Sequence, residues 1–239
     1  MIEAITFDFW NTLYRPGNAR PLRHKRLIET LNKNGLVVEP DRFEAADRRA
    51  RSEWDRVWLE EQRTMGAIEW LTIFCGESSV QLPASDFAEL AHYFDRSLLD
   101  QTVSPTLVAD AVAVLERLST RYRLGVISDS GLSTGRTLRD IMQRDGILRH
   151  FSCLTYSDEV GVSKPHARMF TTTLTCLEVE AAHTVHLGDL TRTDIVGAKS
   201  SGLQAVRFAE VHDDPDRSVE ADGVMYSFSE FETWLAAQQ

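Results

Sequence analysis

The chain has 239 residues, 43% of them apolar and 26% charged, a globular mix that excludes a chain disordered throughout and leaves room for one large domain or two smaller ones. Asp and Glu number 36 against 26 Lys and Arg, and the resulting formal charge of -10 opposes docking on nucleic-acid phosphate or on anionic lipid. No apolar run spans a membrane, the opening MIEAITFDFW lacks the regions of a signal peptide, and the cysteines (Cys75, Cys153, Cys176) are odd in number without metal-ligand spacing; these features predict a cytoplasmic protein with buried thiols and no disulfide.

The first element is strand-like, with Ile5, Phe7 and Phe9 alternating around Asp8. From Arg20 to about Asp100 the periodicity is helical. Leu27, Ile28 and Leu31 form a stripe that stops at Asn34-Gly35. Phe43, Ala46, Ala50, Trp54, Val57 and Trp58 recur at three- and four-residue steps, and Phe87, Leu90, Ala91, Phe94 and Leu98 repeat the pattern after Pro83. This stretch predicts a small helical bundle, with Trp54, Trp58 and Trp70 mostly in its core and one of them free to line a substrate space. Arg48, Arg49, Arg51 and Arg56 alternate with Glu44, Asp47, Glu53 and Asp55, the pattern of a solvated charged face.

From Thr106 onward, short apolar runs alternate with amphipathic helices, the pattern of parallel strands joined by crossovers. Strands are expected at 124–128, 184–187, 204–208 and 223–226. Helices are expected on Leu107, Val108, Ala111, Val112, Leu115 and Leu118, then on Leu138, Ile141 and Met142, then on Met169, Phe170 and Leu174, and finally on Phe231, Trp234 and Leu235. The expected fold class is α/β, a parallel sheet joined by crossover helices and interrupted by the helical bundle.

Ligands of such sheets bind past the carboxyl ends of the strands. Asp8 lies there in FDFWNTL, Ser128-Asp129 follows the second predicted strand, and Gly188-Asp189 the third, with Asp194 five residues on. Lys164, one of only four lysines, sits in Gly161-Val162-Ser163-Lys164-Pro165 ahead of a helix. Several acids and a lysine converging on one sheet edge suit a hard divalent cation and an oxyanion whose charge the lysine offsets.

Taken in order, FDFWNTL, VISDSG, GVSKPHARMF and HLGDLTRTDIVGAKSSG resemble the four motifs of the haloacid dehalogenase-like hydrolase superfamily, and the match covers most of the chain. The resemblance implies a Rossmann-like core over residues 1–14 and 102–239 and a helical cap over 15–101. It implies Asp8 as nucleophile and Mg²⁺ ligand, Ser128 as a contact to the transferring group, Lys164 as its neutralising cation, and Asp189 with Asp194 as metal ligands, joined by the backbone carbonyl of Trp10. Turn amides near Asn11 and Thr12 are candidates to cradle anionic oxygens, while Asp129 suits either a helix cap or a substrate contact.

The superfamily's phosphatases carry a second Asp two residues after the nucleophile, where this chain has Trp10. An indole N–H donates a hydrogen bond but exchanges no proton at neutral pH, so the usual general acid is absent. Leaving groups that need no proton remain, such as those of acyl phosphates and phosphoanhydrides, and so does halide. A Schiff-base route would need Lys25 or Lys33, which read as solvated, and His92 is the one candidate to replace the missing acid. The preferred expectation is Mg²⁺-dependent phosphoryl transfer on a small anionic metabolite by a monomer or homodimer, with no nucleic-acid or membrane partner. Dehalogenation, or a binding module retired from catalysis, is the alternative.

Overall fold

The computed structural model describes residues 1–238. Six parallel strands form the main sheet in the order β5-β4-β1-β6-β7-β8: Ala4–Phe7 (β1), Arg123–Ser128 (β4), Cys153–Tyr156 (β5), Thr184–Gly188 (β6), Gln204–Phe208 (β7) and Gly223–Met225 (β8). The centre is β1, all four of whose residues are buried, which is why AITF carries no charged group. Phe7 pairs with Val126 on one side and Leu187 on the other, so the chain leaves the sheet as Asp8 between the ends of β4 and β6.

Helices cover both faces. On one, α5 (Ala111–Leu118), α6 (Gly135–Arg144) and α10 (Phe228–Ala236) contribute Leu115, Leu138, Ile141 and Phe231 to a core built on Ile5, Phe7, Val126 and Leu187. On the other, α8 (Ala167–Leu177) and α9 (Val196–Ser200) pack Met169, Phe170, Leu174 and Ala198 against Ile127 and Ala205. A four-residue helix, α7 (Ser157–Val160), follows β5.

Between β1 and β4 the chain departs into α1 (Arg20–Lys33), α2 (Pro40–Glu60), α3 (Ala67–Ser78) and α4 (Ala84–Arg96). These helices share a hydrophobic core of their own, including Leu27, Ala50, Val57, Trp70, Phe74 and Phe94. Where the insert leaves and rejoins the sheet domain, Tyr14–Arg15 (β2) pairs antiparallel with Thr106–Leu107 (β3), so the two connecting chains are hydrogen-bonded to each other.

Two expectations need correction. Leu107 and Val108 precede α5 rather than belonging to it, because Leu107 is in β3 and Asp110 takes a left-handed backbone (φ 59°) that starts the helix only at Ala111. Cys153 and Cys176 are joined in a disulfide, with Cys75 the buried free thiol. The two are 23 residues apart in sequence, but α8 lies along β4 and β5, which brings their Cα atoms to 6.1 Å. An odd cysteine count says nothing about such a pair, and the cysteines therefore lend no support to a reducing compartment. Among the described residues no helix is long and apolar enough to cross a membrane.

Phe7 is fully buried, with Phe151 and Phe231 set edge-on at centroid distances of 6.1 and 6.4 Å. Phe7→Ala is expected to cost roughly 3–5 kcal/mol of stability. A fall in the urea midpoint at unchanged slope would register that loss, and a midpoint equal to wild type would contradict the central place given to β1.

Candidate functional site

All six strands point the same way, so the segments leaving their carboxyl ends meet along one edge. Four of them converge there: the turn after β1, the loop after β4, the segment before α8, and the turn after β6. Lys164, buried on the third, donates from Nζ to Asp8 Oδ1 and to Asp194 Oδ1, each at 2.6 Å. Asp194 comes from a wide helical turn, Thr191–Ile195, that opens after β6. Its Oδ2 accepts from Leu190 N at 3.0 Å and from Thr193 Oγ1 at 3.3 Å, while its Oδ1 also faces His186 Nε2 at 3.1 Å. His186 is held in turn through Nδ1 by Thr6 Oγ1 at 2.9 Å.

Gly188 makes this packing possible. A Cβ there would lie 2.4 Å from Asp194 Cγ, so only glycine lets the carboxylate fold back against the end of β6.

Asp189 is the third buried acid. Its Oδ2 accepts from Asn11 Nδ2 at 3.0 Å and faces His212 Nδ1 at 2.9 Å. Asp8, Asp189 and Asp194 each offer an oxygen within 4.8 Å of the others. Three carboxylates share one ammonium, and their electrostatics follow. Burial pushes Asp8 up to about 7, against the pull of Lys164, and pushes Asp189 up to about 8 with the fields of Asp194 and Asp8 adding to it. Burial acts on Asp194 the same way, but Lys164 and His186 outweigh it and hold this acid well below the usual range. Burial would lower Lys164, yet Asp194, Asp8 and Asp129 keep it firmly protonated. A buried, all-oxygen donor set with more negative than positive charge fits a hard divalent cation such as Mg²⁺.

Asp129 is not a helix cap, because Thr134 occupies that position ahead of α6. It lines the cavity, where Trp58 Nε1 donates to Oδ2 at 2.8 Å and Lys164 N to Oδ1 at 2.9 Å. Burial raises its pKa, with Lys164 and Trp58 pulling the other way. The Trp10 indole donates to the Asp129 backbone carbonyl at 3.1 Å. Ser128 is fully buried at the end of β4, its hydroxyl 3.4 Å from the Asp129 carbonyl oxygen, and it stands behind the cavity wall rather than on it.

The turn after β1 departs from expectation at Asn11. Its φ of 56° turns the chain so that its amide donates to the Tyr14 carbonyl at 2.7 Å, leaving the side chain to serve Asp189. The Asn11 amide is therefore not open to an anion. Thr12 is buried with its hydroxyl unpartnered.

The cavity above these groups measures about 370 Å³ and is bordered by residues of the helical insert. Trp54 and Trp58 from α2 and Arg23 from α1 stand on its wall, together with Trp10, Leu98 and Leu132. Trp58 thus leaves the core of the insert, Trp54 packs against that core while also lining the cavity, and Trp70 lies in it as expected. The Arg192 guanidinium lies 4.1 Å over the Trp58 ring. Arg49, Arg51 and Arg56 pair with acids on their own helix, as the charge pattern implied. His92 is exposed on α4 and lies outside the cavity, whereas His212, on the loop past β7, touches the site. Inspecting every strand end, that of β7 included, would have found it. Arg23 carried no signal, since it is one of several arginines on an amphipathic helix.

The family model for haloacid dehalogenase-like hydrolases matches residues 2–202. The chain is 36% identical over 234 residues to a glyceraldehyde 3-phosphate phosphatase of Pyrococcus abyssi, covering 87% of this chain and 82% of that one. It is 25% identical over 226 residues to a ribulose-1,5-bisphosphate 5-phosphatase of Halopiger xanaduensis, covering 93% and 90%. Among solved structures, a 2-haloacid dehalogenase from Pseudomonas syringae pv. Tomato superposes over all of both chains with a TM-score of 0.71 at 20% identity, a likeness of fold.

Gly188→Ala is expected to drive Asp194 off its seat at a cost of about 1–3 kcal/mol, read as a lower thermal midpoint. An unchanged midpoint would mean that the Asp194 carboxylate has another place to go.

Proposed function

The chain belongs to the haloacid dehalogenase-like hydrolases, and within that family we propose that it is a Mg²⁺-dependent phosphatase acting through a covalent intermediate on Asp8. The observation that carries this reading is the Lys164 ammonium bonded to both Asp8 and Asp194 at the floor of the cavity, with Asp189 beside them. Relatives named as phosphatases over most of the chain support it.

Asp8, Asp189 and Asp194, with the Trp10 backbone carbonyl, are the residues that would hold Mg²⁺, and the cation would supply charge that screens a dianionic phosphoryl group from the acids. An oxygen of Asp8 attacks phosphorus, the bond to the leaving group breaks, and an aspartyl phosphate forms. Lys164 offsets the charge on the phosphoryl oxygens during this exchange. Ser128 acts from behind the wall through its contact to the Asp129 carbonyl, as a positioning residue, and the unpartnered Thr12 hydroxyl is the polar atom of the turn with hydrogen-bonding capacity to spare. Water then attacks phosphorus, releasing phosphate and restoring Asp8. The helical insert acts as the cap of this site, residues 15–101 serving a core of 1–14 and 102–239.

No proton donor stands at residue 10, where the Trp10 indole is committed to the Asp129 carbonyl. The enzyme therefore favours leaving groups that depart as stable anions, such as the carboxylate of an acyl phosphate or an acidic phenolate. Dehalogenation shares that tolerance, but its displaced halide makes no use of a cluster of three buried acids.

Asp8→Asn should abolish turnover of acetyl phosphate and 4-nitrophenyl phosphate, a loss above about 10³-fold, and chelator should do the same to the wild type. Metal-independent turnover of 2-haloacids without any phosphate release would overturn the phosphatase reading. Trp10→Asp should raise hydrolysis of alkyl phosphates relative to aryl phosphates by roughly 10²-fold, the worth of a general acid; a ratio that stays put would show that proton supply is not what limits alkyl substrates.

A further inference from the structure

The cavity wall carries two cations. One, Lys164, is consumed by Asp8 and Asp194. The other, Arg23, belongs to α1 of the insert and faces the same cavity without a carboxylate partner among the described residues. Its Nε donates to Ser97 Oγ at 2.8 Å and to the Phe94 carbonyl at 3.1 Å, and its Nη2 donates to Ser133 Oγ at 3.0 Å. Those contacts are all to neutral groups, and they fix the plane of the guanidinium while leaving Nη1 uncommitted. The acid whose field reaches Arg23 most strongly, Asp95, spends Oδ1 on the amide and hydroxyl of Thr134 and on the hydroxyl of Thr137. Burial lowers the Arg23 pKa to about 10, with Asp95 opposing it, so the group stays charged at neutral pH.

A half-buried guanidinium without a counter-charge is costly to keep, and a cationic fork of this kind matches the two oxygens of a carboxylate. The wall near it carries the apolar and aromatic Trp10, Trp54, Trp58, Leu98 and Leu132, while Asp129, also on the wall, has its carboxylate taken by Trp58 Nε1 and the Lys164 amide. Arg23, Trp54 and Leu132 also border a second cavity, of about 380 Å³, on the insert side. Arg23 thus stands between the two cavities, on the wall of both.

We propose that Arg23 receives a carboxylate carried by the substrate, which makes the substrate class a phosphate ester or acyl phosphate whose apolar or aromatic body bears a second, carboxylic, charge. This rests on the phosphatase reading for the end of the substrate that meets Asp8. The flat walls supplied by Trp54 and Trp58 hold the body, and Arg23 sets which bodies are accepted. A carboxylate fits better than a second phosphate, because among the described residues lining the cavity Arg23 is the one cation not already bonded to an acid.

The test compares phenylphosphonate with 4-carboxyphenylphosphonate, neither of which is hydrolysed, by quenching of tryptophan fluorescence in the presence of Mg²⁺. Wild type should bind the carboxylated compound about 10–100-fold more tightly, the usual worth of a charge-assisted hydrogen bond. Arg23→Met should erase that preference and Arg23→Lys should keep part of it. Equal affinities in the wild type, or a preference that survives in Arg23→Met, would overturn the assignment; should Arg23→Met not fold, the wild-type ratio and Arg23→Lys decide it. Failure of the phosphatase reading would look different, as a preserved binding preference with no turnover of 4-carboxyphenyl phosphate.

Discussion

The ammonium of Lys164, held between Asp8 and Asp194 at 2.6 Å from each, is the contact on which the rest of the structure turns. It joins the end of β1 to the turn after β6 and to the segment before α8, three pieces of chain that are remote in sequence. A buried charge is tolerable only when it is paired and hydrogen-bonded, so each of these side chains fixes the others. The sheet supplies the alignment: with β1 between β4 and β6 and all strands parallel, the acids leave the sheet side by side. Gly188 supplies the clearance, and His186, buried and anchored by Thr6, supplies a further partner for Asp194.

One ammonium cannot balance three carboxylates. The imbalance is not shared equally, and partners decide how it falls. Asp194 collects Lys164, His186 and a backbone amide and is held ionised, whereas Asp189 has the amide of Asn11 and a half-exposed His212 and is pushed up to about 8. Asp8 shares the same lysine but sits between the two, pushed up to about 7. A site poised in this way gains from any added positive charge, and its oxygen-only donors select a hard cation over a soft one.

The strands and the sheet-edge acids were legible because both obey short-range rules. β7 matches its hydrophobic run residue for residue, and Asp8, Ser128 and Asp189 follow from the strand ends. What escaped did so for identifiable reasons. β5 is four residues long and carries a cysteine and a threonine among its apolar positions, so no run stands out. α3 is apolar around most of its circumference, which erases the helical stripe. The disulfide, the Trp58 contact to Asp129 and the place of Arg23 are all tertiary facts, set by how α8 lies on the sheet and how the insert lies on the core. Aromatic residues at helical spacing read as core, and nothing local distinguishes Trp54 and Trp58, which face the cavity, from Trp70, which does not.

The insert does more than roof the site. Trp58 reaches from α2 to the carboxylate of Asp129, and Gln62 accepts from the Ser163 amide at 2.6 Å, one residue before Lys164. Thr64 hydrogen-bonds the hydroxyls of Ser157 and Ser163. Trp58 and Asp129 thus line the cavity and also join insert to core, and the segment carrying Lys164 is gripped from above by Gln62 and Thr64 as well as from the acids below. Indole at residue 10 fits this arrangement. A carboxylate there would add a fifth acid to Asp8, Asp129, Asp189 and Asp194 in a site already short of positive charge, whereas Trp10 adds apolar surface and a neutral donor to the Asp129 carbonyl. Tryptophan and leucine side chains on the wall bring low-dielectric surface up to the acids and Lys164, and charges act more strongly across such surface than across water. Tryptophan in place of an acid at residue 10 therefore removes a proton donor without adding to the negative charge that Lys164 already has to offset.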